Sequence, residues 1–279
     1  MNVNRFVPLL LIGIVTAQSA RVAEPKEESS DKPKAFIVCD NFSYLTKPDG
    51  SDTTGQGLVN CTIVNVGTNC WQDKAKHILD EAALKDEVRK AARKSGPLVY
   101  DLEYEYDFKL FLNLVKLSHE VVPGCVVGFY GHGLFPDPPR KGQKSEAAEL
   151  AKAVDAFFPS MYTFDNNREK WKGKLTGLVQ AAHQIAPGTP VYPYLWPKYH
   201  KGGAKTGMLS GDHWRFELDA ARECGADGVV IWGATTNNTP PWWQETLKFI
   251  ATKPMVEHSK AQKGKDVEDP LDDKKKHGD

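Results

Sequence analysis

The run LVYDLE, residues Leu98–Glu103, lies between two stretches whose apolar residues recur with the spacing of one helix face. The first stretch, Asp73–Lys94, is followed by Gly96-Pro97, a pair that terminates helices. The second stretch covers Asp107–His119. A short apolar run between two amphipathic helices is typical of a parallel sheet with crossover helices. This segment therefore predicts an α/β fold.

The alternation of strand and helix continues along the chain, and the connection Asn41–Asn60 is predicted as a loop. Further helices are predicted at Glu146–Val154, Glu169–Gln184, Asp212–Cys224 and Trp243–Ala251. Strands are predicted at Ala35–Asp40, Cys61–Val66, Leu98–Glu103, Cys125–Tyr130, Ala156–Tyr162, Val191–Leu195 and Gly228–Trp232. This number of units favours a small or incomplete (β/α) barrel, with an open doubly wound sheet as the alternative. The glycine-rich dinucleotide motif, the P-loop and the nucleophile elbow are missing from the sequence.

Composition and charge exclude several classes of protein. The chain has 279 residues, of which 41% are hydrophobic and 26% charged, so it is long and apolar enough to bury a core. This composition excludes a wholly disordered chain, a collagen-like repeat and a polytopic membrane protein. The 36 basic residues balance the 36 acidic ones. Because proteins that bind phosphate backbones usually carry a basic excess, no nucleic-acid partner is expected.

The two ends of the chain differ in composition from its core. Met1–Ala20 has a basic residue, an apolar run and a small-x-small cleavage pattern, which predict a secretory signal peptide, with an uncleaved membrane anchor as the alternative. Arg21–Lys34 is predicted to be a flexible leader, Ala35–His258 the catalytic barrel and Ser259–Asp279 a disordered charged tail. We expect a secreted or periplasmic protein without an integral membrane span after cleavage. The oligomeric state is left open.

The five cysteines suit an exported protein, in which disulfides form. Because five is odd, at least one cysteine is free or pairs between chains. Cys61 and Cys70 are near enough in sequence to be a candidate disulfide, although the connectivity is left open. Neither the cysteines nor the histidines show the spacing of a metal site, so no metal is expected.

Two carboxylates close the predicted strand Leu98–Glu103. Since side chains alternate along a strand, Asp101 and Glu103 share the face of Val99, opposite Leu98 and Leu102. Two carboxylates at this separation repel each other, which favours retention of a proton by one of them and so creates a general acid. Cleavage of a glycosidic bond needs such an acid. The alternative is a solvated acidic turn.

Aromatic side chains follow several of the other predicted strands. In a (β/α) barrel the carboxyl ends of the strands meet at one rim, where the chemistry takes place. Aromatic rings at such a rim suit sugars, whose C–H faces pack on aromatic planes. The alternative is that these rings belong to the core. The candidates at the strand ends are Tyr130, Asp137, Tyr162, Tyr194 and Trp232.

Several segments, in order, resemble the hyaluronidases, glycoside hydrolase family 56. The resemblance covers about half of the chain, roughly from Leu98 to Trp243. It rests on an Asp-x-Glu strand, a Gly-Phe-Tyr segment followed by Phe-Pro-Asp, a Pro-Ser-x-Tyr segment, a Pro-Val-x-Pro-Tyr segment and a closing helix and strand. In this chain they are Val99–Glu103, Gly128–Asp137, Phe158–Tyr162, Pro190–Tyr194 and Leu209–Gly233.

The resemblance implies a TIM-like distorted (β/α) barrel with about seven strands. It also implies a glycosidase for β-linked N-acetylhexosamine bonds in hyaluronan or a related glycosaminoglycan, acting with retention by substrate-assisted catalysis and without a cofactor. By position, Glu103 would be the acid and then the base, Asp101 would stabilise the acetamido nitrogen, and Tyr162 would bind the acetamido group. The residues implied to line the sugar subsites are Tyr130, Asp137, Tyr194 and Trp232.

The chain also departs from the family pattern. Tyr104-Glu105-Tyr106-Asp107 follows the Asp-x-Glu pair, without the arginine usual there. An acidic run of this kind disfavours a polyanionic substrate. Two alternatives therefore stay open: a barrel glycosidase for a neutral polysaccharide, and a non-catalytic secreted carbohydrate-binding barrel.

Overall fold

The computed structural model describes residues 35–41, 57–102, 107–131, 144–200, 207–233 and 240–252. All of them belong to one compact unit, Pro33–Asp279. The described helices are α1 (Glu81–Ala91), α2 (Phe108–Val121), α3 (Lys144–Ala153), α4 (Arg168–Ile185), α5 (Gly211–Glu223) and α6 (Pro241–Ala251). The described strands are β1 (Ile37–Asn41), β2 (Val59–Asn60), β3 (Thr62–Val64), β4 (Trp71–Asp73), β5 (Ile78–Leu79), β6 (Leu98–Tyr100), β7 (Val127–Phe129), β8 (Tyr194–Leu195) and β9 (Gly228–Trp232).

The parallel strands form a ring. One sheet has the order β2-β1-β9-β8 and a second the order β3-β6-β7. The segment 157–160 links the two sheets, because parallel bridges join Phe158 to Tyr130, Phe157 to Val191 and Ser160 to Tyr194. On the other side, β2 and β3 are separated only by Cys61. The order of elements confirms the predicted distorted (β/α) barrel with about seven strands and contradicts the open sheet.

The predicted strand Ala156–Tyr162 was wrong in detail, because the structure forms only isolated bridges there. Pro159 lies in the middle of this segment and has no N–H group for a sheet hydrogen bond. The segment nevertheless occupies the place of a strand in the ring, since the Phe157 amide bonds the carbonyl of Pro190 at 2.9 Å.

The predicted helix Asp73–Lys94 begins later than expected. An antiparallel pair, β4 and β5, precedes it, and α1 begins only at Glu81. The Asp80 carboxylate accepts a hydrogen bond from the Ala83 amide at 3.0 Å and so caps the helix. Within the predicted loop Asn41–Asn60, Val59–Asn60 forms β2. Asn41, the first residue of that loop, ends β1, and the remainder apart from Gly57 and Leu58 lies outside the described residues.

Side chains alternate between two buried clusters. Val99 and Val230 belong to the cluster inside the barrel, whereas Leu98 and Tyr100 belong to the larger cluster between the strands and the helices. The barrel is narrow beside Gly128, where an added Cβ would lie 2.4 Å from the carbonyl oxygen of Ala156. Only glycine permits this close approach of β7 to the next segment.

Candidate functional site at the carboxyl ends of the strands

Parallel strands place their carboxyl ends at one rim of the barrel, and this rim carries the candidate site. Asp101 follows β6 directly, Tyr130 follows β7, and Trp232 is the last residue of β9. Tyr162 follows the bridging segment, and Trp196 comes directly after β8. The strands therefore gather one carboxylate and four aromatic rings at the rim.

The residues on either side of Asp101 alternate as the sequence predicts. Val99, two positions earlier, is fully buried inside the barrel, and Leu102 packs against the outer cluster. Asp101 itself is exposed. Asp101 therefore lies at the rim, one residue beyond the end of β6, and its contact with a ligand stays a prediction. The two other predicted acidic site residues, Glu103 and Asp137, lie outside the described residues.

Four aromatic residues, Tyr130, Tyr162, Trp196 and Trp232, form a contiguous group that we call the rim aromatics. The ring centroid of Tyr162 lies 6.0 Å from that of Tyr130, 5.5 Å from that of Trp196 and 6.0 Å from that of Trp232. The two tryptophans meet edge to face at 4.9 Å. Tyr162, Trp196 and Trp232 are partly exposed. The structure thus brings together three of the predicted site residues, Tyr130, Tyr162 and Trp232.

Tyr194 lies deeper than the rim aromatics. It is only 1% exposed, and its hydroxyl accepts a hydrogen bond of 2.9 Å from the side-chain amide of Asn41. Its ring contacts Tyr130 edge to face at 4.8 Å. Burial raises the pKa of Tyr194 well above its ordinary value, so the hydroxyl stays protonated. Tyr194 therefore packs below the rim against the ring of Tyr130. Its predicted contact with a sugar stays a prediction.

Trp196 and His200 were missing from the predicted site. The His200 ring stacks on Tyr162 at 5.5 Å, and that of Trp196 lies 5.9 Å from His200. Alternation along Tyr192, Tyr194 and Trp196 was the available signal, because it places Trp196 on the inward face one step beyond Tyr194. For His200 the sequence offered no such signal, since it follows a turn.

Trp196 is held in place by a backbone feature. Gly233 has a φ of +80°, and an added Cβ there would lie 2.8 Å from Nε1 of Trp196. The glycine thus allows the chain after β9 to turn beneath the indole. A larger residue at this position would displace the ring from the mouth.

A buried polar group lies behind the mouth. The hydroxyl of Thr163 donates a hydrogen bond to Glu217 of α5, which is fully buried. His213, one turn earlier, places its Nε2 3.5 Å from the same carboxylate. Burial raises the pKa of Glu217 from 4.5 to about 8 and lowers that of His213 below 6.5. At neutral pH both side chains are therefore mainly uncharged, and they support the segment that carries Tyr162.

The candidate disulfide between Cys61 and Cys70 is not formed in the structure, where all five cysteines are free thiols. The Cys61 thiol lies inside the barrel, 3.6 Å from the Tyr194 hydroxyl. The Cys70 thiol instead donates a hydrogen bond to the carbonyl of Asn65 at 3.6 Å. Short sequence separation was misleading because β3 carries the chain from the barrel interior to its outside.

Two structural features are absent from the described part of the chain. It holds no group of three or more side chains suited to bind a metal ion. None of its helices combines the length and the apolar character needed to cross a membrane.

Comparisons with known proteins give a partial similarity in sequence and a similarity in fold. No protein-family model matches the chain. The hyaluronidase conohyal-ad1 of Conus adamsonii is 25% identical over 129 residues, which are 39% of this chain and 35% of that protein. The match thus spans about a third of that relative's length.

Solved structures share the fold. Bee venom hyaluronidase superposes with a TM-score of 0.52 at 16% identity, covering 78% of this chain and 98% of that one. Its complex with a hyaluronic acid tetramer gives a TM-score of 0.51 at 16% identity, covering 78% and 97%. At this identity the likeness shows the fold alone. Over the matched stretch the sequence is similar to a hyaluronidase, and the barrel fold is similar to that of bee venom hyaluronidase.

Proposed function

We propose that the protein is a secreted endo-glycosidase that hydrolyses β-linked N-acetylhexosamine bonds in hyaluronan or a related glycosaminoglycan. The observation that carries the proposal is a mouth bordered by Tyr130, Tyr162 and Trp232, at the rim where the exposed Asp101 follows β6. A carboxylate beside aromatic planes suits the two needs of a glycosidase, which are charge stabilisation and a platform for the sugar ring. The signal peptide predicted at Met1–Ala20 supports secretion.

The proposed reaction uses the substrate's own 2-acetamido group. Its carbonyl oxygen attacks the anomeric carbon, the bond to the leaving oxygen breaks, and Glu103 donates a proton to that oxygen. Asp101 orients the acetamido nitrogen and stabilises the positive charge that develops there, and the Tyr162 hydroxyl bonds the acetamido group. Water then attacks the anomeric carbon, the bond from that carbon to the acetamido oxygen breaks, and Glu103 takes the proton of the water. Two displacements at one carbon give retention of configuration.

Three structural relationships support these roles. Asp101 lies two residues after Val99, which is buried inside the barrel, and this agrees with the inner face that the sequence alternation predicts for Asp101. Tyr162 lies between Tyr130 and Trp232, at the centre of the rim aromatics. Tyr130 is fixed from below by Tyr194 and donates a hydrogen bond of 3.3 Å to Ser160. Tyr162, the ring proposed to bind the acetamido group, therefore lies beside Tyr130, which Tyr194 and Ser160 hold in place.

A neutral polysaccharide is the second candidate substrate. The sequence lacks the arginine that usually follows Asp-x-Glu, which favours this candidate. A cation nevertheless lies beside the mouth, since Nζ of Lys198 is 5.7 Å from the centroid of Trp196. This ammonium group favours the acidic chain, because it can approach the carboxylate of a uronic acid.

The test is release of new reducing ends from purified polymers by the secreted protein. Hyaluronan and chondroitin serve as acidic substrates and a soluble chitin oligosaccharide as the neutral one. We expect release from an acidic polymer at mildly acidic to neutral pH. Release from the chitin oligosaccharide alone would show that the substrate is a neutral polysaccharide and not an acidic one. Binding of a polymer without any release would favour the non-catalytic carbohydrate-binding barrel.

A further inference from the structure

The rim aromatics continue outward beyond the residues assigned to the reaction. The His200 ring stacks on Tyr162 with centroids 5.5 Å apart and planes inclined by 23°. Phe164 follows at 4.9 Å from His200. Phe164 is 47% exposed, a large fraction for a phenylalanine. A row of rings therefore runs from the centre of the mouth to the protein surface.

The outer end of this row is fixed in position. The amide of His200 donates a hydrogen bond of 2.8 Å to the carbonyl of Thr163, the residue before Phe164. On the other side, α4 begins at Arg168 with its N-cap Asn167 bonded to the Lys170 amide at 3.0 Å. Phe164 is thus held on a short connection between a buried threonine and a capped helix. An exposed ring on a fixed backbone loses little freedom when it binds a ligand.

We propose that Phe164 and His200 form an additional sugar-binding subsite, which holds a polysaccharide chain one or more sugars away from Asp101. The inference rests on the proposed function and deepens it, because it makes the protein selective for long chains. Successive centroids along Tyr162, His200 and Phe164 are 5.5 and 4.9 Å apart, a spacing comparable with one pyranose unit. The sugar packs its C–H face on the Phe164 ring, whereas its hydroxyls stay in contact with water.

Charge at this end of the row is compatible with an acidic chain. Lys198 lies on the same connection as His200, with its ammonium group over Trp196. Asp165, next to Phe164, is paired with Lys170 at 3.6 Å, which offsets its negative charge. An acidic chain lying along the row therefore meets a cation beside Trp196 and a neutralised carboxylate beside Phe164.

The test compares Phe164→Ala with a matched variant, Ile185→Ala. Ile185 is a second large exposed apolar side chain, 41% exposed, at the far end of α4. The helix has 18 residues and is about 27 Å long, so Ile185 is remote from the row. Both truncations remove exposed apolar atoms, and we expect both variants to fold with unchanged circular dichroism.

Binding of hyaluronan tetrasaccharide, hyaluronan decasaccharide and a chitin hexasaccharide is measured by calorimetry, with the rate of hydrolysis recorded separately. For Phe164→Ala we expect about fivefold weaker binding of the decasaccharide and unchanged binding of the tetrasaccharide, since one aromatic platform is lost. We expect Ile185→Ala to bind the tetrasaccharide and the decasaccharide with wild-type affinity. Phe164→Trp, which keeps an aromatic ring, should retain the affinity for the decasaccharide.

Each result bears on a different claim. If Phe164→Ala lost affinity equally for short and long chains, or lost none, the proposed subsite would be contradicted. The proposed hydrolysis would not be affected by that result. Length-dependent loss of binding in a protein that releases no reducing ends would support the subsite and overturn the proposed reaction. A wild-type protein that binds none of these oligosaccharides would overturn both.

Discussion

The side-chain amide of Asn41 donates a hydrogen bond of 2.9 Å to the hydroxyl of Tyr194, although the two residues are 153 positions apart in sequence. Asn41 ends β1 and Tyr194 begins β8, and β9 lies between these strands. The bond therefore spans a strand inside the barrel, directly below the rim aromatics. It connects the first described strand with the part of the chain that carries the mouth.

Replacement of Tyr194 by phenylalanine removes this bond and keeps the ring. We expect the free energy of unfolding to fall by about 1–2 kcal/mol, because the buried amide of Asn41 loses an acceptor. Urea unfolding followed by tryptophan fluorescence measures the change. Tyr192→Phe is the control, since the Tyr192 hydroxyl makes no hydrogen bond to any described residue. Equal stability of the Tyr194 variant and the wild-type protein would show that the bond contributes nothing.

The buried carboxyl of Glu217 predicts a pH dependence of stability. Its pKa is raised by burial to about 8 in the folded protein, above the ordinary value of 4.5. The folded state therefore holds a proton that the unfolded state releases between these pH values. The stabilisation is complete below pH 4.5 and is lost as the pH rises through about 8.

Glu217→Gln tests this dependence. The amide can still accept the hydrogen bond from Thr163 but carries no ionisable proton. Above about pH 7 the neighbouring His213 is mainly neutral in both states, and Tyr199 has a pKa raised above 10. Between pH 7 and 8 we expect the wild-type protein to lose about 1 kcal/mol of stability relative to the variant. Parallel stability profiles for the two proteins across this range would contradict the prediction.

The five thiols can be counted directly. Because all five cysteines are free, unfolded protein prepared without reductant should react with five equivalents of a thiol reagent. In the folded protein Cys39, Cys61 and Cys70 are buried, and burial raises the pKa of Cys61 to about 12, so these three should react slowly. Prior reduction should leave the count unchanged. A count of three that rises to five after reduction would show a disulfide.

Much of the fold follows from the sequence because buried strands need continuous apolar runs. Gly228–Trp232 is such a run and forms a strand with the predicted bounds, whereas the predicted strand Leu98–Glu103 already ends at Tyr100. The pair β4 and β5 was missed, since Trp71–Asp73 and Ile78–Leu79 are short and partly exposed. Their apolar residues happen to continue the helical spacing of α1.

Part of the candidate site was predictable because its residues follow from the predicted strands. Alternation along a strand assigns Asp101 to the inner face, and position at a strand end assigns Tyr130 and Trp232 to the rim. Burial of Glu217 was not predictable, because a glutamate in an amphipathic helix usually faces solvent. Its place depends on a hydrogen bond from Thr163, which only the packed barrel brings near.

The central claim is that Asp101 and Glu103 act together on a sugar chain. Its most direct test is the release of reducing ends from hyaluronan and chondroitin by wild-type protein, Glu103→Gln and Asp101→Asn, with Glu105→Gln as the control from the same acidic run. We predict release by the wild-type protein and the control, a loss of about 100-fold or more in Glu103→Gln, and a comparable loss in Asp101→Asn. Near-normal release by Glu103→Gln would contradict the account.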